Sequence, residues 1–425
     1  MVKRRPSMTE GRDAGMIFAA QADRLVIRGN GTILRLLLLT VLASMALLAN
    51  AEKRMTVTQP EQTLLAATAA HKPDADIVRR IGDIEFTERL TEMTLVQLNL
   101  KLHANFQVSL ALRLLADQSA FMDPPASELP ATAAPDDVSQ HRILEEARSY
   151  VAQMLPRLPN FLATRTTNRY DDSPQALKQD AWPVRGGLHL VGTESRETSI
   201  LEERDNQSPY RGSAFWQAQM GLVSGEFGST LGMIMADTMK GKVTWSHWEQ
   251  TVAGPEAVFH YSVPKSASHY EVIGSFQRQT ATQVIDTPRG GGTGINPVRT
   301  DRNTSPSNTS IIRNRPGYHG SLWVDPATRT VLCITIESEA KDGAPFGRAA
   351  ILVRYGPVQI SGSSFICPVR SVAISRAVTD IQTQLGDDAP TQWLNETLFT
   401  QYRRFGSTIR VLPDAAAPVS EKPPH

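Results

Sequence analysis

The feature that most restricts the fold is a series of short β-rich segments that begins at Phe161 and continues almost to the end of the chain. Val, Ile, Thr, Tyr and Phe are frequent in these segments, and Gly, Pro, Asn or Asp separates one segment from the next. The sequences DPAT (325–328) and SG (361–362) lie at turn positions between such segments. One helix, near 225–239, interrupts the series. Consecutive strands joined by short turns predict an antiparallel sheet.

The chain before Phe161 has the pattern of helices. Leucine-rich spacing over 74–122, with no Gly or Pro between 83 and 122, predicts two or three helices. Residues 52–72 are polar and Ala-rich and predict a loose leader, and the Pro/Ala-rich residues 123–137 predict a linker. Residues 138–155 predict one amphipathic helix that ends at Pro156.

These patterns predict the division of the chain. A signal peptide occupies 1–51, the helical segment with its linker occupies 52–137, a β-rich domain occupies 138–413, and a disordered tail occupies 414–425.

The N-terminal residues predict export from the cell. The uncharged segment LLLLTVLASMALLA (36–49) follows a basic leader. It is shorter than the roughly 20 residues of a membrane-spanning helix and fits the roughly 7–15 residues of a signal-peptide core. The small-x-small sequence Ala49-Asn50-Ala51 follows it as a cleavage site. We expect a periplasmic or secreted chain that contacts the membrane only through the signal segment. An uncleaved anchor and a buried helix are the alternatives.

Charge and motifs exclude several classes of function. The formal net charge is +1, so no basic surface argues for a nucleic-acid partner. The sequence has no HExxH, CxxC, GxxxxGK[ST] or GxSxG motif. We therefore predict no cofactor and favour a non-enzymatic role, although catalysis stays open.

The stretch GLVSGEFGSTLG (221–232) is the best candidate for a ligand contact, because small residues let a backbone approach a ligand closely. Glu226 and Phe227 lie in it, and Met233 and Met235 follow as lining for an adaptable apolar groove. The structural alternative is a tight loop that caps a helix packed on the sheet.

Histidines provide the weak candidates for a metal or acid–base site. His247 and Glu249 lie two residues apart on one predicted strand, and His269 and Glu271 repeat this spacing on a later one. If the two strands pair, the four side chains converge in a way that suits a metal-assisted hydrolase. The alternative is the solvated face of a sheet. His319 and Ser321 also share a strand face, but that spacing alone does not hold a catalytic pair together.

Two cysteines, Cys333 and Cys367, lie in strand-like segments. An oxidising compartment permits a disulfide between them. Two buried thiols on different strands are the alternative, since spacing in the sequence does not fix the geometry.

Several segments resemble a family of exported acidobacterial proteins of uncharacterised activity. They include LLADQSAFMDPP (114–125), SGEFGSTL (224–231), YHGSLWVDPATRTVL (318–332) and RYGPVQISGSSFICPVRSVAIS (354–375). This resemblance implies export and assigns no functional residues. The strand order and the DP-turn hairpin also resemble periplasmic lipoprotein carriers more distantly.

The carrier resemblance implies an α+β fold: an N-terminal helical segment, then an open, curved antiparallel β half-barrel with a covering helix. It implies binding of a lipid, a lipidated peptide or an envelope protein. The alternatives are the metal-assisted envelope hydrolase and a structural component of an envelope complex that docks through the helices at 74–122.

Overall fold

The structure is a computed structural model that describes residues 54–172, 187–201, 226–251, 254–278, 308–338, 346–377 and 391–405. The predicted signal peptide, its cleavage site and the tail at 414–425 lie outside the described residues. Within them, no helix is long and apolar enough to cross a bilayer.

Six α-helices lie in these residues: α1 (Gln59–Ala69), α2 (Asp74–Gly82), α3 (Glu92–Lys101), α4 (Phe106–Ser119), α5 (Asp137–Met154) and α6 (Ser229–Asp237). Side-chain oxygens of Thr91, Asn105 and Asp136 accept a backbone hydrogen bond at the start of α3, α4 and α5. Helices α2 to α4, α5 and α6 confirm the helical predictions for 74–122, 138–155 and 225–239.

Helix α1 shows that the prediction of a loose leader at 52–72 is wrong. Leu64 and Ala67 of this helix are buried together with Ile77, Ile81 and other apolar side chains of α2 to α4. The buried side chains of α1 are few, so they give no clear periodicity in the sequence. Contacts with the other helices bury them.

The strands are β1 (Arg54–Met55), β2 (Glu85–Phe86), β3 (Phe161–Asp171), β4 (His189–Ser199), β5 (Lys242–Thr251), β6 (Gly254–Val263), β7 (Val272–Arg278), β8 (Asn308–Asn314), β9 (Tyr318–Asp325), β10 (Thr330–Ser338), β11 (Phe346–Ile360), β12 (Ser363–Ala377) and β13 (Thr391–Arg404). Nine of them form one open antiparallel sheet in the order β4-β3-β13-β12-β11-β10-β9-β6-β5. This arrangement confirms the predicted α+β half-barrel class.

The turns between the long strands follow from local chemistry. Ser361 and Gly362 join β11 to β12 with φ angles of 52° and 85°, as a two-residue hairpin requires. Between β9 and β10, the carboxylate of Asp325 accepts hydrogen bonds from the Ala327 N–H at 2.8 Å and the Thr328 hydroxyl at 2.6 Å. Both turn predictions are confirmed.

Helices cover both faces of the large sheet. Leu114 of α4 packs on the first face, the α4 face, against Val258, Trp323, Cys333 and their neighbours. The second face, the α5/α6 face, is larger, and its central side chains are Ala257, Phe259, Leu322, Val324, Ile334, Ile336, Ile351 and Val353. Ile143, Ala147 and Val151 of α5, and Leu231 and Ile234 of α6, cover that face.

An ion cluster fastens α4 to its face. Arg370 of β12 donates to both carboxylate oxygens of Asp117 on α4, at 2.8 and 2.7 Å. The same guanidinium donates to Glu396 of β13 at 2.8 Å. Because α4 also belongs to the core of α1 to α3, this cluster fixes the helical segment relative to the sheet.

Candidate functional site

The predicted ligand contacts Glu226 and Phe227 are engaged by the protein itself. The Glu226 carboxylate, 2% exposed, pairs with the Arg165 guanidinium at 2.9 Å. The Phe227 ring makes edge contacts with Phe161 and Phe399, at centroid distances of 5.2 and 5.4 Å. These contacts favour the structural alternative for this stretch and give neither side chain an open surface.

The glycine and methionines near them also serve packing. A Cβ on Gly228 would lie 2.4 Å from Leu155 Cδ2, so this glycine allows a loop to approach the end of α5 rather than a ligand. Met235 is buried under the α5/α6 face and Met233 packs against the same core. The predicted apolar groove is therefore ordinary core at these positions.

Both cysteines are free, buried thiols. Cys333 belongs to the α4 face, whereas Cys367 packs in a cluster around Phe161 and Phe399. Burial raises the pKa of Cys333 to about 11 and that of Cys367 to about 12. The disulfide alternative is wrong, because these side chains belong to separate clusters.

The four weak metal candidates separate into two places. His247 and Glu249 lie on β5, where His247 Nε2 is 3.6 Å from Glu249 Oε2. His269 lies in the loop before β7 and binds Asp237, at the end of α6, through its ring nitrogen at 2.5 Å. Glu271 pairs with Arg315 at 3.8 Å. Strand β5 pairs with β6 and not with the segment that carries His269, so the predicted convergence is wrong.

Within the described ranges, no group of three or more His, Cys, Asp or Glu side chains has the geometry of a metal site.

A polar cleft of about 450 Å³ opens instead on the α4 face, at the end of the sheet formed by β5, β6, β9 and β10. Antiparallel register aligns its floor in two rows. Thr244 lies opposite His260, which lies opposite Ser321. In the second row, Lys242 lies opposite Ser262, Ser262 opposite His319, and His319 opposite Glu337. Phe121, Met122 and Asp123, which follow α4, also line the cleft.

Hydrogen bonds connect the floor to partly buried residues of β5. His260 Nδ1 is 2.9 Å from Ser321 Oγ, and His260 Nε2 is 2.9 Å from Ser246 Oγ. Ser246 Oγ is also 2.8 Å from His247 Nδ1. Asp123 Oδ1 approaches His260 Nε2 at 3.3 Å. Hydroxyls and imidazoles therefore alternate from the cleft to the interior.

Glu249 is a fixed anion that lies beyond His247, at the inner end of this series of hydrogen bonds. Its Oε2 accepts hydrogen bonds from Arg89 at 2.5 Å and from Trp323 Nε1 at 2.8 Å. Burial alone raises the pKa of Glu249, but His247, Arg89 and Trp323 outweigh burial and lower it to about 2. The carboxylate is thus an acceptor at neutral pH.

A second unusual surface lies on α3. Met93, Val96 and Leu100 are 58, 54 and 69% exposed. Their spacing of three and four residues places them on one side of the helix, and we call this surface the α3 stripe. Leu95 and Leu98 are buried on the other side, so α3 carries apolar side chains on two sides, one buried and one exposed.

Sequence reasoning missed Ser246, His260 and Asp123. A signal was present for His260, because β6 and β9 both carry His-x-Ser, at 260–262 and at 319–321. Antiparallel pairing of two such segments places each histidine opposite the serine of the other strand. Ser246 and Asp123 carry no comparable pattern.

Comparisons with protein-family models, with curated proteins and with solved structures gave no match for this chain.

Proposed function

We propose that this chain is an exported protein of the bacterial cell envelope that binds a protein partner through the α3 stripe. The observation that supports this role is the exposure of three large apolar side chains on one side of a helix that already buries its other side. Isolated exposed apolar residues are ordinary, but a continuous apolar surface on a helix is typical of an interaction site.

The stripe fits an amphipathic helix of the partner. Apolar side chains that recur after three and four residues form one side of a helix–helix seam. Charges of both signs border the stripe, since Glu92 pairs with Arg113 and Lys101 pairs with Glu61. An anionic membrane surface instead attracts a predominantly basic border. A mixed polar rim around an apolar centre is typical of protein interfaces.

The energy of such an interface follows from the exposed fractions. Complete burial of one Met, Val or Leu side chain contributes about 1.5–3 kcal/mol. The three side chains of the stripe are 54 to 69% exposed, so together they contribute about 3–5 kcal/mol. This corresponds to about two to four orders of magnitude in affinity.

A lipid or a lipidated peptide is the less favoured ligand in this proposal. An acyl chain needs an open apolar cavity, and both apolar faces of the sheet are packed against the protein's own helices.

Photo-crosslinking tests the proposal in cells that express the full chain. A photoreactive residue at Val96 is compared with one at Ser149, which is exposed on α5, the helix that covers the opposite face of the sheet. We expect one discrete crosslinked protein from position 96, in the envelope fraction, and none from position 149. Replacing Met93 and Leu100 by serine should abolish that product.

Three outcomes would contradict the proposal: the same products from both positions, a product that is a second copy of this chain, or products confined to the cytoplasm. The mass of the N-terminal peptide of the purified protein tests export separately. Cleavage after Ala51 leaves a chain that begins at Glu52.

A further inference from the structure

We propose that the polar cleft is the site of a hydrolytic activity, in which Ser321 is the nucleophile and His260 its general base. The substrate class is a small carboxylic ester with polar substituents. This inference is independent of the α3 stripe and uses no residue of it.

The hydrogen bonds fix the direction of proton movement. The Asp123 carboxylate lies 3.3 Å from His260 Nε2, and an acceptor at this position favours the tautomer with the hydrogen on Nε2. In that tautomer Nδ1 is the acceptor, and it is 2.9 Å from Ser321 Oγ. The Ser321 hydroxyl therefore donates its proton to His260, as a nucleophile–base pair requires.

The interior of the chain of hydrogen bonds supports the same tautomer. The anion Glu249 lies 3.6 Å from His247 Nε2, beyond hydrogen-bond distance, and its charge favours the His247 tautomer with the hydrogen on Nε2 and with Nδ1 as the acceptor for Ser246. Ser246 Oγ then has a lone pair for the His260 Nε2–H, at 2.9 Å. Asp123, Ser246, His247 and Glu249 are thus positioning residues, because they hold the His260 ring in one orientation and one tautomer.

The proposed reaction has two balanced steps. Ser321 Oγ bonds to the ester carbonyl carbon and its proton passes to His260 Nδ1, which returns that proton to the leaving alcohol oxygen as the C–O bond breaks. Water then attacks the acyl group and gives a proton to His260 Nδ1. The carboxylic acid leaves as Ser321 Oγ takes this proton back.

The cleft restricts the substrate to polar molecules of modest size. Its volume of about 450 Å³ lies in the range of small-molecule sites. Lys242 and His319 occupy the row beside Ser321, where they suit an anionic or hydroxylated substituent. An apolar acyl ester would leave this polar floor without hydrogen-bond partners.

A fluorophosphonate probe tests the proposal without knowledge of the natural ester. Such a probe phosphonylates an activated serine: the Oγ–P bond forms, fluoride leaves and the base takes the hydroxyl proton. We expect the mature protein to gain one probe mass, located by peptide mapping at Ser321. Ser321→Ala should abolish labelling, and His260→Asn should slow it at least about 100-fold. Ser195→Ala is the control, because Ser195 is exposed on β4, at the opposite edge of the sheet from β5, and it should label at the wild-type rate.

Circular dichroism confirms that each variant is folded. The proposal is overturned if the wild type is not labelled, if Ser321→Ala is labelled as fast as the wild type, or if His260→Asn has no effect on the rate. None of these results bears on crosslinking at Val96, so failure of the hydrolase proposal and failure of the partner proposal are distinguishable.

Discussion

The buried pair between Arg165 and Glu226 permits a quantitative prediction about stability. The side chains are 6% and 2% exposed and lie 2.9 Å apart. Changing Arg165→Met leaves the Glu226 carboxylate in the core without its principal cation. Breaking a buried ion pair by removal of one partner costs about 3–5 kcal/mol, since an uncompensated charge stays buried. We expect this loss in the free energy of unfolding.

The double variant Arg165→Met, Glu226→Leu is the control. It removes both charges and keeps apolar volume at both positions, and such a replacement is often neutral or stabilising. We expect the double variant to be more stable than Arg165→Met alone by at least about 2 kcal/mol. Urea unfolding followed by circular dichroism gives all the required free energies, including that of Glu226→Leu.

One result would refute this reasoning. If Arg165→Met costs less than about 1 kcal/mol, as an exposed pair would, then Glu226 is not confined to the core. A ligand-facing role for Glu226 would then become the better interpretation.

Three further predictions follow from burial and charge. Replacing Gly320 by Ala should destabilise the fold by at least about 1–3 kcal/mol in urea unfolding, because the new Cβ would lie 1.9 Å from the Thr335 carbonyl oxygen. Glu249 has a folded pKa of about 2 against an ordinary value of 4.5, so its stabilisation of about 3 kcal/mol is complete above pH 4.5 and is lost as the pH falls towards 2. The stability difference between wild type and Glu249→Gln should shrink over that range, and a constant difference would contradict the assignment. A thiol reagent should modify neither Cys333 nor Cys367 in the native protein and both after unfolding, since both are buried and unpaired.

The sequence was sufficient to predict the fold class because the two halves of the chain have different periodicities. The strand signals of β9 to β12 are strong, since turns with fixed backbone requirements separate segments rich in β-branched residues. Helix α1 was missed because its few buried side chains give no periodic pattern. Only contact with α2 and its neighbours buries Leu64 and Ala67.

The site was less predictable, because its residues converge through register. His260 and Ser321 are distant in sequence and meet only because β6 pairs with β9 at one particular alignment. The opposite error occurred at Glu226, where small neighbours indicated a ligand contact. In the structure, the missing side chain of Gly228 instead allows this loop to pack closely against Leu155.

The irregularity in β5 links the fold to the proposed chemistry and supplies a last prediction. Trp245 pairs with Phe259 and His247 pairs with Val258, so Ser246 is an extra residue in a β-bulge. The bulge inserts one hydroxyl between the imidazoles of His247 and His260. Bulges interrupt the ladder and are frequent next to active sites.

Deletion of Ser246 would restore a regular ladder without moving any other side chain to the wrong face. Phe259, Val258 and Ala257 follow one another on β6 without a gap. After the deletion, Trp245, His247 and Trp248 would therefore lie opposite them in regular order, each on its present face of the sheet. We therefore expect the deletion variant to unfold within about 1 kcal/mol of the wild type, while fluorophosphonate labelling of Ser321 slows by at least about tenfold. Ser246→Thr keeps the hydroxyl and should retain the wild-type rate. A deletion variant that is strongly destabilised, or one that labels at the wild-type rate, would show that Ser246 serves the stability of the sheet and not the orientation of His260.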